Sequence, residues 1–279
     1  VRHQGDAQSG GDGQIAEVGT GVSQWVRFRA EGRERFGTLH DGQVLEHTGD
    51  MFGDARATGQ THASGSYALL SPCVPGKIVA LWNNFHALAA KLGKPVPTHP
   101  PFFIKSSSSV IGCDEPIRRP PGYAGKIVFE GELGIVIGKT CRNVAVGDAA
   151  RYIFGYTCVN DVTAMDVLFE NPDFAQWSRS KSFDTFGCLG PVIATGLDPT
   201  AVNLLTRVDG SERQNYPLSD MVFSPRELVS RISHDLSLLP GDVIACGTSI
   251  GVGSIKDGAT VEISIDGIGT LRNQLVRGT

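Results

Sequence analysis

The six cysteines, at positions 73, 113, 141, 158, 188 and 246, form no C-x-x-C pair, which removes the zinc-ribbon and redox-motif readings. They sit mostly in apolar runs, as reduced buried thiols do, and this usage points to the cytoplasm. There is no basic block either: 25 Lys and Arg stand against 29 Asp and Glu, for a formal net charge of −4. Neither nucleic acid nor an anionic membrane surface is an expected partner. No apolar run approaches the length of a bilayer span, the first residues lack the basic-then-apolar order of a secretory signal, and no internal repeat is found. What these absences leave is a globular chain of 279 residues that acts on a small molecule and is long enough to bury a substantial core.

Residues 1–19, opening on a Gly-, Gln-, Ser- and Asp-rich stretch, read as a flexible tail. Short strand-like segments follow over residues 20–72, with Asp41-Gly42 as a hairpin signal between Thr38-Leu39-His40 and Val44-Leu45. This is a small N-terminal β lobe. Pro72, Pro75 and Gly76 mark a boundary near residue 73, and residues 73–279 form the larger unit, which opens on the buried strand Lys77 to Leu81. Phe85 to Leu92 is a short helix by propensity. The run Pro95 to Pro101 ends it, and such a helix serves either as a mobile lid or as a packed element. Ser224-Pro225 reads as a helix start, with Ser224 as N-cap and proline at the first position. The Gly-rich loop Gly247 to Gly253 follows the strand Val243 to Cys246 but precedes no amphipathic helix, so it is not a dinucleotide site. Many strands and few helices predict a strand-rich α+β fold, closer to a barrel or rolled sheet than to a doubly wound layer.

The stretch Ile127 to Gly138 organises the larger unit. With a period of two, Ile127, Phe129, Leu133, Ile135 and Ile137 share one face while Glu130 and Glu132 project from the other. A lone Glu-x-Glu is ordinarily a solvated strand face. Asp161, at the end of the strand-like segment Tyr152 to Asn160, is either a helix cap or a third oxygen donor to the same point. Three carboxylates suit a hard divalent cation such as Mg²⁺, Mn²⁺ or Ca²⁺. Lys181 is either a surface lysine or a cation of that site.

The order Phe129-Glu130-Gly131-Glu132-Leu133, Phe154-Gly155-Tyr156-Thr157 to Asn160-Asp161, Lys181-Ser182-Phe183-Asp184, Pro240-Gly241-Asp242 and Gly247-Thr248 to Gly253 resembles the fumarylacetoacetate hydrolase family over roughly residues 73 to 276. The resemblance implies a mixed β-roll catalytic domain with a small N-terminal lobe, usually a homodimer. It implies Mg²⁺ or Mn²⁺ on Glu130, Glu132 and Asp161, with Lys181 as a catalytic cation. It further implies that Lys181 and the Gly247-Thr248 backbone and hydroxyl receive the substrate's oxo-acid end, with Tyr156 nearby; Lys105 is placed among these substrate contacts. The family's substrates are 2-oxo or β-diketo acids.

Hydrolytic and decarboxylating members carry His-x-x-Glu on the short helix after an Asn-Tyr pair. Here Asn83-Asn84-Phe85-His86 leads into Ala89 at the glutamate position and His86 arrives two residues early, so His86 either serves alone as the candidate catalytic base or caps or packs in the helix. Met165 and Leu168 replace polar residues of many members. The first expectation is a metal-dependent hydrolase of a C–C bond in an acylpyruvate-like or β-diketo acid. The alternatives are an isomerase or decarboxylase of a 2-hydroxy-diene dioate or 2-oxo acid, and an oxo-acid-binding protein without catalysis.

Overall fold

The turn at Asp41-Gly42 takes positive φ at both residues, 47° and 76°, so that Arg33–His40 returns as Gln43–Thr48 in antiparallel register. This is from a computed structural model that describes residues 21–278; the expected tail, residues 1–19, lies outside them. On its other side the hairpin pairs with Ser23–Ala30, which in turn pairs with Gly187–Thr195. The strands of the N-terminal lobe therefore extend the same sheet that carries the larger unit's central strands.

That twelve-stranded sheet runs, along its main path, Arg56–His62, Gln43–Thr48, Arg33–His40, Ser23–Ala30, Gly187–Thr195, Ile153–Asp161, Gly131–Ile137, Val243–Ala245, Ile78–Leu81 and Phe102–Lys105. It is mixed, because Val243–Ala245 and Ile78–Leu81 run parallel. A five-stranded sheet covers one face, and a three-stranded sheet joins Thr163–Ala164, Ile127–Phe129 and Gly253–Ile255. The helices are few and short: α1 His86–Leu92, α2 Met165–Leu168, α3 Trp177–Lys181 and α4 Pro225–Asp235. The expected strand-rich α+β roll is the fold observed. In α4, Ser224 is the N-cap that the sequence signals, and Glu227 completes a reciprocal capping box with it.

The organising stretch departs from expectation in two ways. It is not a single strand: Ile127–Phe129 belongs to the three-stranded sheet and Gly131–Ile137 to the large one, with Glu130 at the junction. Nor is one face solvated. Leu133, Ile135 and Ile137 pack in the core shared with Leu204, Ile263 and Leu271 of the five-stranded sheet, while Val136 packs on the opposite face with Val159 and Ala245. Period two is present, but both faces are buried.

The junction is clamped through Gly131. Its N–H donates to Gln214 Oε1 at 3.0 Å, and its carbonyl accepts from Tyr216 OH at 2.6 Å and Thr248 Oγ1 at 2.9 Å. A Cβ here would stand 2.3 Å from Thr206 Oγ1 and 3.0 Å from Gln214 Oε1. Only glycine lets the two sheets approach this closely between the two glutamates. Gly131→Ala is therefore expected to lower stability by about 1–3 kcal/mol through overpacking, read as a lower midpoint in urea; an unchanged midpoint would contradict the close approach.

Candidate metal centre and cleft

Glu132 follows Gly131 in its strand, and Asp161 ends the neighbouring strand in a register that sets Gly131 opposite Asn160. The Asp161 N–H donates to the Glu130 carbonyl at 2.9 Å, which draws the junction and the strand end together. Glu130, Glu132 and Asp161 thus each offer an oxygen within 4.8 Å of the others. Asp161 is not a helix cap; the N-cap of α2 is Ala164. Asn160, which sequence reading passed over, fixes the junction by accepting the Glu130 N–H at 3.1 Å.

Two lysines face these acids. Lys181, the last residue of α3, donates to Glu130 Oε2 at 2.9 Å and Asp161 Oδ2 at 2.7 Å. Lys105 is wholly buried and donates to Asp161 Oδ1 at 2.5 Å, to the Phe186 carbonyl at 3.2 Å and to the Lys181 carbonyl. Its three donors are all used inside the protein. The expectation that Lys105 contacts substrate gives way to a supporting role beneath Asp161.

Burial penalises the charge of every member, and the outcome depends on neighbours. Asp161, despite its burial, is held below the usual carboxylate range by Lys105 and Lys181. Glu132 is pushed well above it by burial and by the charges of Asp161 and Glu130, with Lys181 only partly compensating. Glu130 is likewise raised by burial, against the pull of Lys181. Burial lowers Lys105, whereas for Lys181 the three carboxylates outweigh burial and raise it.

Glu132 Oε2 accepts the Gly247 N–H at 2.8 Å, but its Oε1 is buried without a partner. An orphaned carboxylate oxygen beside two more carboxylates is a donor set that fits a hard divalent cation. The Gly247 N–H, expected on the substrate, is used to orient this glutamate. The Thr248 hydroxyl donates to Gly131 and accepts from Gln214 Nε2 at 2.8 Å, yet Thr248 still lines the cleft. Tyr156 is a correction. It packs with the core cluster on the face opposite Val159 and Asp161, where burial pushes its hydroxyl up to about 12. Strand alternation turns it away from the carboxylates.

The cleft above the cluster has a volume of about 570 Å³ and reaches from Glu130 to α1, lined by Leu81, Trp82, Met165, Leu168, Trp177 and Ile250 among others. From α1 it takes Leu88, Lys91 and Leu92. At 100° per residue these three share one face, and His86 lies some 160° away from Leu88. His86 is exposed and is not among the cleft residues; Ala89 is buried. The helix cannot easily turn otherwise. Asn84 at its root donates to the Cys246 carbonyl at 2.8 Å and accepts from Phe223 N at 2.9 Å, and Phe85 is fully buried against Tyr216. A His-x-x-Glu pair facing this cleft would have to occupy positions 88 and 91, where this chain has Leu and Lys. In this conformation His86 points away from the cleft.

The model of the fumarylacetoacetate hydrolase C-terminal domain matches residues 77–276, and that of an Rv2993c-like N-terminal domain matches residues 24–72. The chain belongs to the fumarylacetoacetate hydrolase family. Among solved structures, it is similar to 5-carboxymethyl-2-hydroxymuconate delta-isomerase from Mycobacterium smegmatis, at 38% identity and TM-score 0.83, over 91% of this chain and 99% of that one. A 2-hydroxyhepta-2,4-diene-1,7-dioate isomerase from Mycobacterium marinum matches at 35% identity and TM-score 0.84, over 91% and 98%. The fumarylacetoacetate hydrolase of Exiguobacterium antarcticum matches at 30% and 0.81, over 91% and 99%. Burial raises Glu130 and Glu132 above the usual carboxylate range, so a cation taken up by this cluster competes with protons. Raised carboxylates predict that Mn²⁺ affinity increases as pH rises through and beyond the usual carboxylate range, with protons released on binding. Calorimetry in buffers of different ionisation enthalpy measures this; pH-independent binding without proton release would contradict it.

Proposed function

We propose that the protein is a divalent-metal-dependent isomerase that moves a proton on a 2-hydroxy-dienoic or 2-oxo acid, with Glu130, Glu132 and Asp161 as the ion's ligands. Bound there, Mg²⁺ or Mn²⁺ supplies Lewis-acid polarisation of the oxo-acid oxygens. Lys181 adds a fixed positive charge beside the same oxygens, where negative charge develops when the 2-hydroxyl gives its proton to a solvent water, before water returns a proton at carbon. Apolar side chains of the cleft exclude water from that charge and strengthen its interaction with Lys181.

The observation that carries this reading is the cleft face of α1. Hydrolysis requires a general base within reach of a water molecule. Among the described residues that line the cleft there is no histidine, and the one carboxylate is Glu130 of the cluster itself. Tautomerisation needs a proton carrier but no water nucleophile, and solvent water fills that role without a positioned base. The named isomerases at 35% and 38% identity support the same choice. Decarboxylation makes similar demands and stands next to it; the hydrolase named at 30% identity keeps C–C hydrolysis as the reading to be tested against.

The test follows absorbance while the Mg²⁺-loaded protein is incubated separately with a 2-hydroxyhepta-2,4-dienedioate, oxaloacetate and acetylpyruvate. The expected outcome is fast conversion of the dienol, little or no cleavage of acetylpyruvate, and rates within about twofold of wild type for His86→Ala, since each tenfold corresponds to 1.36 kcal/mol of transition-state contact. Rapid acetylpyruvate cleavage that His86→Ala abolishes would restore the hydrolase reading. Tight binding of all three without turnover would instead show a binding protein.

A further inference from the structure

Lys181 has a neighbour besides its two carboxylates. Its ammonium lies 5.5 Å from the centre of the Phe103 ring, within the range at which a ring face attracts a cation. The strand Phe102–Lys105 brings this contact about. Residues 103 and 105 project to the same side of it; Lys105 donates to the Lys181 carbonyl, and Phe103 meets the Lys181 side chain. On α3, Trp177 and Lys181 are four residues apart and so are neighbours on one face. The Trp177 ring stacks on the same phenyl ring, with centroids 5.5 Å apart and planes at 25°. Trp177 lines the cleft and Phe103 does not. The phenyl ring is thus set behind the cleft wall, and its influence there passes through these two neighbours.

Lys181 is fixed by Glu130 Oε2 and Asp161 Oδ2. On the proposed function those carboxylates are shared with a divalent ion. They then attract the ammonium less, and like charge repels it. We infer that Phe103 is a positioning residue for Lys181: its ring face keeps the ammonium beside the cluster when the carboxylates are committed to an ion. This rests on the proposed oxo-acid chemistry and adds the group that holds the site's fixed charge in place. A neutral ring suits the task. A further carboxylate there would add to the negative charge of the cluster and compete as a ligand, whereas a phenyl face attracts the ammonium without offering the ion a lone pair. Lys181 is only 1% exposed, and desolvation strengthens such a contact.

Fluorination of the ring tests this with its shape nearly unchanged. Phe103 is replaced in turn by 4-fluoro-, 3,5-difluoro- and 3,4,5-trifluorophenylalanine, and pyruvate binding to the Mn²⁺-loaded protein is followed by titration calorimetry. Fluorine withdraws electron density from the ring face, which weakens its hold on an ammonium but favours stacking on the electron-rich indole of Trp177. The two neighbours therefore predict opposite signs. Acting through Lys181, fluorination lowers pyruvate affinity stepwise, by about five- to tenfold with three fluorines. The urea midpoint of the ion-free protein stays constant along the series, because the carboxylates hold Lys181 there. Phe103→Tyr, which retains an electron-rich face, should bind pyruvate within about twofold of wild type. Affinity that is flat or rises along the series, or a fall accompanied by a lower ion-free midpoint, would overturn the inference. Failure of pyruvate to bind the unsubstituted protein would overturn the oxo-acid reading and the inference together.

Discussion

Three carboxylates meet two lysines in the interior of this protein, and the arrangement leaves one negative charge in excess. Asp161 receives both ammonium groups and is the best compensated of the acids. Glu132 receives only the Gly247 N–H and leaves Oε1 without a partner. Buried charge that is not paired is costly, by several kcal/mol per ion, so the cluster is stable as drawn only if it carries protons or takes up a cation. The metal reading follows from this imbalance more than from the Glu-x-Glu spacing.

The rest of the architecture keeps the imbalance in place. Gly131 allows two sheets to approach between the glutamates, and Gln214, Tyr216 and Thr248 hold its backbone from the opposing side. Lys105 anchors Asp161 from below. Asn84 and Phe85 fix the root of α1, so that leucine and lysine, and not the neighbouring histidine, look into the cleft. Rigid support of this kind suits a site that must hold a charge-dense centre without reorganising.

How much of this was legible in the sequence depended on whether the signal was local. Asp41-Gly42 and the Ser224 cap carry their own short-range chemistry and formed as read. The strand-rich roll followed from counting strands against helices. Glu130, Glu132 and Asp161 came together as the motif order implied, but the break at Glu130 was invisible, because alternation continues through residues 127–137 while the hydrogen-bond partners change. Lys105 and Tyr156 failed for a related reason. The residue type was suggestive, yet only tertiary pairing decided that Lys105 lies beneath the cluster and Tyr156 behind it. His86 lies less than one helical turn from the cleft face, and the common face of Leu88, Lys91 and Leu92 becomes visible in the sequence only when the helix is read at 100° per residue. The joining of the N-terminal strands to Gly187–Thr195 left no trace in local pattern.

On the proposed function, the carboxylate cluster binds the ion on which an oxo acid is held, below the Leu88 and Lys91 face of α1. Anomalous diffraction from a crystal soaked with Mn²⁺ and a slowly reacting 2-oxo acid tests it most directly. The expected result is a single strong Mn²⁺ peak about 2.0–2.3 Å from oxygens of Glu130, Glu132 and Asp161, with the oxo-acid oxygens completing its coordination and the ligand's tail toward α1. A peak elsewhere, or a ligand bound away from the cluster, would contradict it.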